Sequence, residues 1–328
     1  MGSRIKQHQS KRKIQWLINY MKTVDFSKLL LLFILTMSLT GCSGPVVYRE
    51  PITRFQQAST VVIEGVRIEY SLANKTERNT EIDRLVAQKN RIELSTLNDP
   101  SIRTLDPESL NARMTALDTL AKHGQLLLSL ASSEAPDRTK DAANSLVNAI
   151  SGLSSSLDKV SSNKFKSTAQ GFATIADEAA NLALESKISA ALDKAIIASE
   201  SNVTELLKLI RDDLGGIYER RRSSVSAARK FAVDNYNMAL KQNLSTEHLQ
   251  QAAFKIKQIE DEWDSLPLLL GAEPGLDAMA QTHQKLVAYA KSSKSPQDLA
   301  DLIEATDAFV TRAKVIADAI NIIREVKE

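Results

Sequence analysis

Residues 296–326 read PQDLADLIEATDAFVTRAKVIADAINIIREV, and the spacing of their apolar side chains decides the fold class. Leu299, Leu302, Phe309, Ala313, Ile316, Ile320 and Ile323 recur at steps of three and four, with one polar interruption at Thr306. On a helix of about 3.6 residues per turn those steps gather the side chains into one stripe, a seam for packing against another helix. The start is marked as well: Ser295-Pro296 with Asp298 places a capping hydroxyl, a first-turn proline and an acid where a helix N-terminus accepts them.

The same pattern recurs upstream. Leu146, Ile150, Leu153, Leu157 and Val160 alternate by four and three, and Leu192, Ile196, Ser199, Val203, Leu206, Ile210, Leu214 and Ile217 keep nearly the same spacing. Prolines stand at 45, 51, 100, 107, 136, 267, 274 and 296, so 130 consecutive residues lack one. Proline ends or kinks helices, and the Ala, Leu, Lys, Glu and Ser that fill this gap favour long ones. Sustained strand alternation with hairpin turn pairs occurs nowhere.

These signals predict helices over 53–97, 107–132, 137–162, 165–213, 216–243, 246–265, 275–293 and 296–326. Gly215-Gly216 is expected to break or bend what would otherwise be one helix, and Leu266 to Gly275 (LPLLLGAEPG) to be a connection. The expected fold is all-α: an elongated antiparallel helical bundle with long, coiled-coil-like helices. Residues 53–243 form a long-helix bundle and 244–328 a C-terminal helical group, as one domain or two. The first helix, if continuous, would extend about 65 Å at 1.5 Å per residue.

The N-terminal residues follow a different logic. A basic stretch precedes the apolar run Leu29 to Met37 (LLLLFILTM), which exits through Ser38-Leu39-Thr40-Gly41-Cys42. That order is the order of a removable export signal over residues 1–41. The run is about nine residues long where a membrane span needs about 20, so a permanent transmembrane helix is the weaker alternative. Met21-Lys22 would open an ordinary signal by itself, which makes Met21 the alternative start.

Leu39-Thr40-Gly41-Cys42 resembles the lipobox of bacterial lipoprotein precursors, and the resemblance covers only the signal and the cysteine. It implies cleavage before Cys42, a diacylglycerol on its thiol and an N-acyl chain on its amine. Cys42 is the only cysteine in the sequence, so this attachment leaves no thiol for redox, metal or nucleophilic work. In the sorting pattern of enterobacterial lipoproteins, Ser43 rather than Asp after the cysteine resembles proteins sent to the outer membrane, facing the periplasm. Residues 42–52, with Gly44, Pro45 and Pro51, are expected to be the anchor and an extended tether.

Removing residues 1–41 takes away seven of the 42 bases and one of the 40 acids, leaving a net charge of −4. The apparent basicity disappears, and with it a global electrostatic case for nucleic acid. One local basic cluster remains, Arg220-Arg221-Arg222 followed by Arg229-Lys230. It is a candidate contact for anionic lipid headgroups or an acidic partner; a solvated outer face is the competing reading.

No catalytic or metal set is legible. His123, His248 and His283 lie on separate predicted helices, far apart in sequence, with no His-Glu-x-x-His pair to hold zinc. Gly215-Gly216 lacks the rest of a phosphate loop, and Gly152 to Ser156 (GLSSS) lacks the second glycine of a nucleophile elbow. Asp212-Asp213 and Glu260-Asp261-Glu262 with Asp264 read as solvated faces, because adjacent helical residues point apart. After residue 39 no apolar segment of spanning length occurs, which disfavours a pore-forming role. No catalytic residue, metal or bound cofactor is therefore expected. The expected function is that of a non-enzymatic structural or interaction lipoprotein of the envelope, with an envelope protein or a second copy as partner and no nucleic acid. The alternative is a helical binder of a small or lipidic ligand.

Overall fold

In a computed structural model of the chain, the described residues are 46–99, 102–132, 136–157, 164–184 and 188–325. They are all-α, with no strand among them. The helices are α1 (Val46–Ala87), the one-turn α2 (Leu94–Leu97), α3 (Pro107–Ser132), α4 (Pro136–Leu157), α5 (Lys164–Leu184), α6 (Ile188–Ala198), α7 (Glu200–Lys241), α8 (Thr246–Asp264), α9 (Pro267–Lys291) and α10 (Pro296–Glu325). Successive helices from α3 to α6 pack on one another, as do α7 with α8 and α9 with α10. Helix α1 touches α3, α7, α9 and α10, and so runs through the middle of the bundle.

Helix α1 begins seven residues earlier than its sequence suggests, so Val46 to Ile52 are helix rather than extended tether. Pro51 lies inside it and cannot donate to the carbonyl of Val47, which costs about 3 kcal/mol in a helix interior. Burial of Tyr48, Ile52 and Phe55 offsets this, since each fully buried side chain of that size is worth about 1.5–3 kcal/mol. Tyr48 also meets Tyr289 of α9 edge to face, with centroids 5.1 Å apart. The far end of α1 comes ten residues early. Gln88 to Glu93 present only exposed side chains, and Lys89, at φ 56°, closes the helix with Asn90 N–H bonding the Leu85 carbonyl at 2.9 Å.

The expected helix over 165–213 is three helices, and the expected break at Gly215-Gly216 does not occur. Helix α7 runs through both glycines because Leu214 and Ile217 on either side are locked in the core. The interruption falls instead at Ser199, whose hydroxyl turns back to the Ile196 carbonyl at 2.9 Å. The LPLLLGAEPG segment is likewise no connection, for Pro267 sits at the first turn of α9 and Pro274 within it. Two glycines explain how tightly α9 is held. A Cβ on Gly275 would stand 2.6 Å from Ile316 Cδ1, and one on Gly65 2.7 Å from Ile316 Cγ2, so both positions must be bare for α1, α9 and α10 to close around Ile316.

The caps follow sequence closely. Asp106 Oδ1 accepts from the amides of Glu108 and Ser109 at 3.0 and 2.9 Å, and Ser295 Oγ from the amide of Asp298 at 3.2 Å. One apolar core joins α1, α3 to α7, α9 and α10, crossing the expected division at residue 243. The distal part of α7 and α8 has a small core of its own, built on Val225, Ala232 and Ile259.

Candidate functional sites: a side cleft and an apolar hairpin

Leu39, Thr40, Gly41 and Cys42 lie outside the described residues. The basic cluster does not form one face. Arg220 and Arg222 are exposed, whereas Arg221 is wholly buried and cannot meet a headgroup or an acidic partner. Its Nη1 bonds Glu69 of α1, also wholly buried, and its Nη2 donates to Ser265 Oγ at 2.9 Å. Burial pushes the Glu69 carboxyl up, to about 7, against the opposing pull of the guanidinium. Glu69 Oε1 and Arg221 Nε find no partner of their own. Arg229 forks onto Glu260 at 2.8 Å and lies 4.3 Å over the Trp263 ring, and Lys230 reaches Asp234 at 2.6 Å. The signal for Arg221 was present: it extends the seam Leu214, Ile217 by a step of four, with Val225 four beyond, so an interior position was written in the spacing.

His123 and His283, far apart in sequence, meet in the core with ring centroids 5.8 Å apart. Phe172 flanks His123 at 5.4 Å and Phe55 flanks His283 at 6.3 Å. His283 Nε2 lies 3.2 Å from Ser199 Oγ, while both nitrogens of His123 and Nδ1 of His283 are without partners. Burial depresses both, to about 3 for His123 and about 4 for His283, so they are neutral at pH 7. A Ser–His contact invites comparison with a nucleophile and its base. Here both groups are sealed from solvent and the serine proton is directed to a backbone carbonyl, so no substrate atom can approach.

The acidic pairs are dispersed. Asp213 takes Arg113 of α3 through two bonds of 2.5 and 2.9 Å, and Glu262 accepts from Asn79 Nδ2 at 3.2 Å. Among the described residues no three His, Cys, Asp or Glu side chains are grouped to hold a metal ion. No helix among them is long and apolar enough to cross a membrane.

Two surface features remain. A cleft of about 400 Å³ lies between α8 on one side and α1 and α10 on the other. Leu72, Ile259, Ile322 and Ile323 supply its aliphatic lining, and Lys75, Asn79, Asp261 and Glu262 are among its polar groups. The second feature is the α7–α8 hairpin, which exposes Phe231, Val233, Met238, Leu240, Leu244 and Phe254, with Phe254 at 61% and Met238 at 56%. Isolated exposed apolar residues are ordinary, but six within 24 residues of one hairpin are a concentration. Against this geometry, no protein-family model, no characterised protein and no solved structure matches the chain.

Proposed function

We propose that the chain is a lipid-anchored envelope protein, held to the membrane through Cys42, whose helical domain docks a partner protein on the α7–α8 hairpin. The lipobox-like Leu39-Thr40-Gly41-Cys42 supports the anchor. The observation that carries the docking role is the set of large apolar side chains exposed on a hairpin whose own core is only three buried residues. A monomer gains nothing from leaving Phe254 and Met238 in water, while a partner covering them removes apolar area at about 25 cal/mol per Å². The partner is a second envelope protein or another copy of the chain, at the periplasmic face of the outer membrane. The net charge of −4 beyond residue 41 supports a partner that is not nucleic acid.

A photocrosslinking residue placed at Phe254 or Met238 in cells tests this, with the exposed Val315 of α10 as the control position. Discrete adducts from the hairpin positions and not from Val315 are expected. Equal or absent adducts at all three sink the reading. Intact mass and membrane fractionation of the wild type beside Cys42→Ser test the anchor separately: the wild type should carry a lipid-sized addition and the variant should leave the membrane.

The cleft favours a second reading, a site for a small amphiphile with its aliphatic part on Ile322 and Leu72. A molecule released in stoichiometric amount when the purified protein is denatured, and lost from Ile322→Asp, supports it. Recovery of the same molecule from both chains opposes it.

A further inference from the structure

We propose that the part of α7 beyond Arg221, together with α8, is a hinged arm that swings away from α1 and α10 to open the cleft. Three independent features of the structure lead to it. First, no residue of α8 belongs to the main core, which ends on α7 at Ile217 and its neighbour Tyr218. The arm instead carries its own small cluster and can move as a unit without unpacking the bundle. Second, the arm meets α1 through polar contacts: Ser224 Oγ to Glu77 at 3.1 Å, Asn79 Nδ2 to Glu262 at 3.2 Å, and Lys255 Nζ to Asp83 at 3.0 Å. Contacts of this kind exchange readily for water, and each adds little net stability at a surface.

Third, both ends of the arm return to one point. Arg221 of α7 and Ser265, which follows α8, are joined to each other and, through Arg221, to Glu69 of α1 in a buried cluster. That cluster is a pivot, since it is buried and fixes the base of the arm while the latches beyond it are only part-buried. The cleft is lined by α8 on the arm and by α1 and α10 on the body, so the swing changes its width directly. Ligand binding in the cleft is a separate matter, and the motion is measured with no ligand present.

The test uses the full chain carrying Cys42→Ser, which removes its only cysteine, with nitroxides on Glu247→Cys in the arm and Val315→Cys in the body. Pulsed electron resonance reads their distance distribution, and a second chain labelled at Lys208→Cys and Arg312→Cys reports on the body alone. Two alterations should act in the same direction. Loss of the latches in Ser224→Ala, Asn79→Ala, Lys255→Ala should at least double the long-distance fraction, Lys255→Ala alone should raise it by a smaller factor, and the body pair should not move in either. The proposal is overturned if the arm distance stays the same in all three backgrounds, or if the body pair shifts together with it. The Lys255 side chain is 40% exposed, so its single variant disturbs no core and its result stands even if the triple variant folds poorly.

Discussion

His123 and His283 show how a residue's role changes when its neighbours are known. Both have folded-state values below the ordinary 6.5, so the unfolded chain binds their protons first as pH falls. Their contribution to stability is complete above about 6.5 and is lost progressively below it, levelling off only near 3 to 4. The loss is about 1.4 kcal/mol per pH unit for each histidine. Glu69 works in the opposite sense: its raised value keeps the proton on the folded chain between about 4.5 and 7, so its contribution weakens as pH rises through that window. Chemical denaturation of the wild type beside His123→Phe separates these effects. The variant should lose about one proton's worth of pH dependence between pH 6 and 4; identical slopes would show that His123 does not titrate on unfolding. At the Glu69–Arg221 pair, removing one partner strands a buried charge, so Glu69→Ala should cost about 3–5 kcal/mol, while Glu69→Leu combined with Arg221→Met should recover most of it. A double variant no more stable than the single one would mean that the pair itself holds the fold.

At the scale of elements, glycine has opposite meanings at two places in the fold. Gly65 and Gly275 are contact points where helices close around Ile316, and Gly275→Ala should cost about 1–3 kcal/mol through overpacking. Gly215→Ala should be neutral or stabilise by up to about 1 kcal/mol, since the added methyl is unopposed and the helix propensity improves. Thermal melting compares the two, and a lower melting temperature for Gly215→Ala would contradict the open surroundings described for it. Sequence alone could not separate these cases, because both are glycines within helical patterns. The seams, by contrast, were legible: Leu146, Ile150 and Leu153 are buried, and so are Leu302, Phe309, Ala313, Ile316, Ile320 and Ile323. Thr306, the polar interruption, is buried too, and its hydroxyl bonds the Leu302 carbonyl at 2.8 Å. Helix ends were less legible, because Tyr48 and Ile52 extend α1 through Pro51 by contacts with distant helices.

For the whole molecule, the α7–α8 hairpin beyond Tyr218 has no side chain in the main core and exposes six of the twelve large apolar side chains left in water among the described residues. Met238→Ser with Phe254→Ser should therefore change unfolding free energy by no more than about 0.5–1 kcal/mol while abolishing hairpin adducts in cells. A large loss of stability would place these side chains inside the fold instead. By itself the sequence determined the helical class, most seams and the caps at Asp106 and Ser295, because each depends on spacing within one segment of chain. It also carried the pattern that leads to Cys42. Only the tertiary structure decided that Arg221 turns inward to Glu69, that His123 meets His283, that α7 runs on through its glycines, and that a cleft lies under α8. Those outcomes depend on which surfaces, 44 to 160 residues apart in the chain, are pressed together, and side-chain periodicity records a buried stripe without naming what covers it.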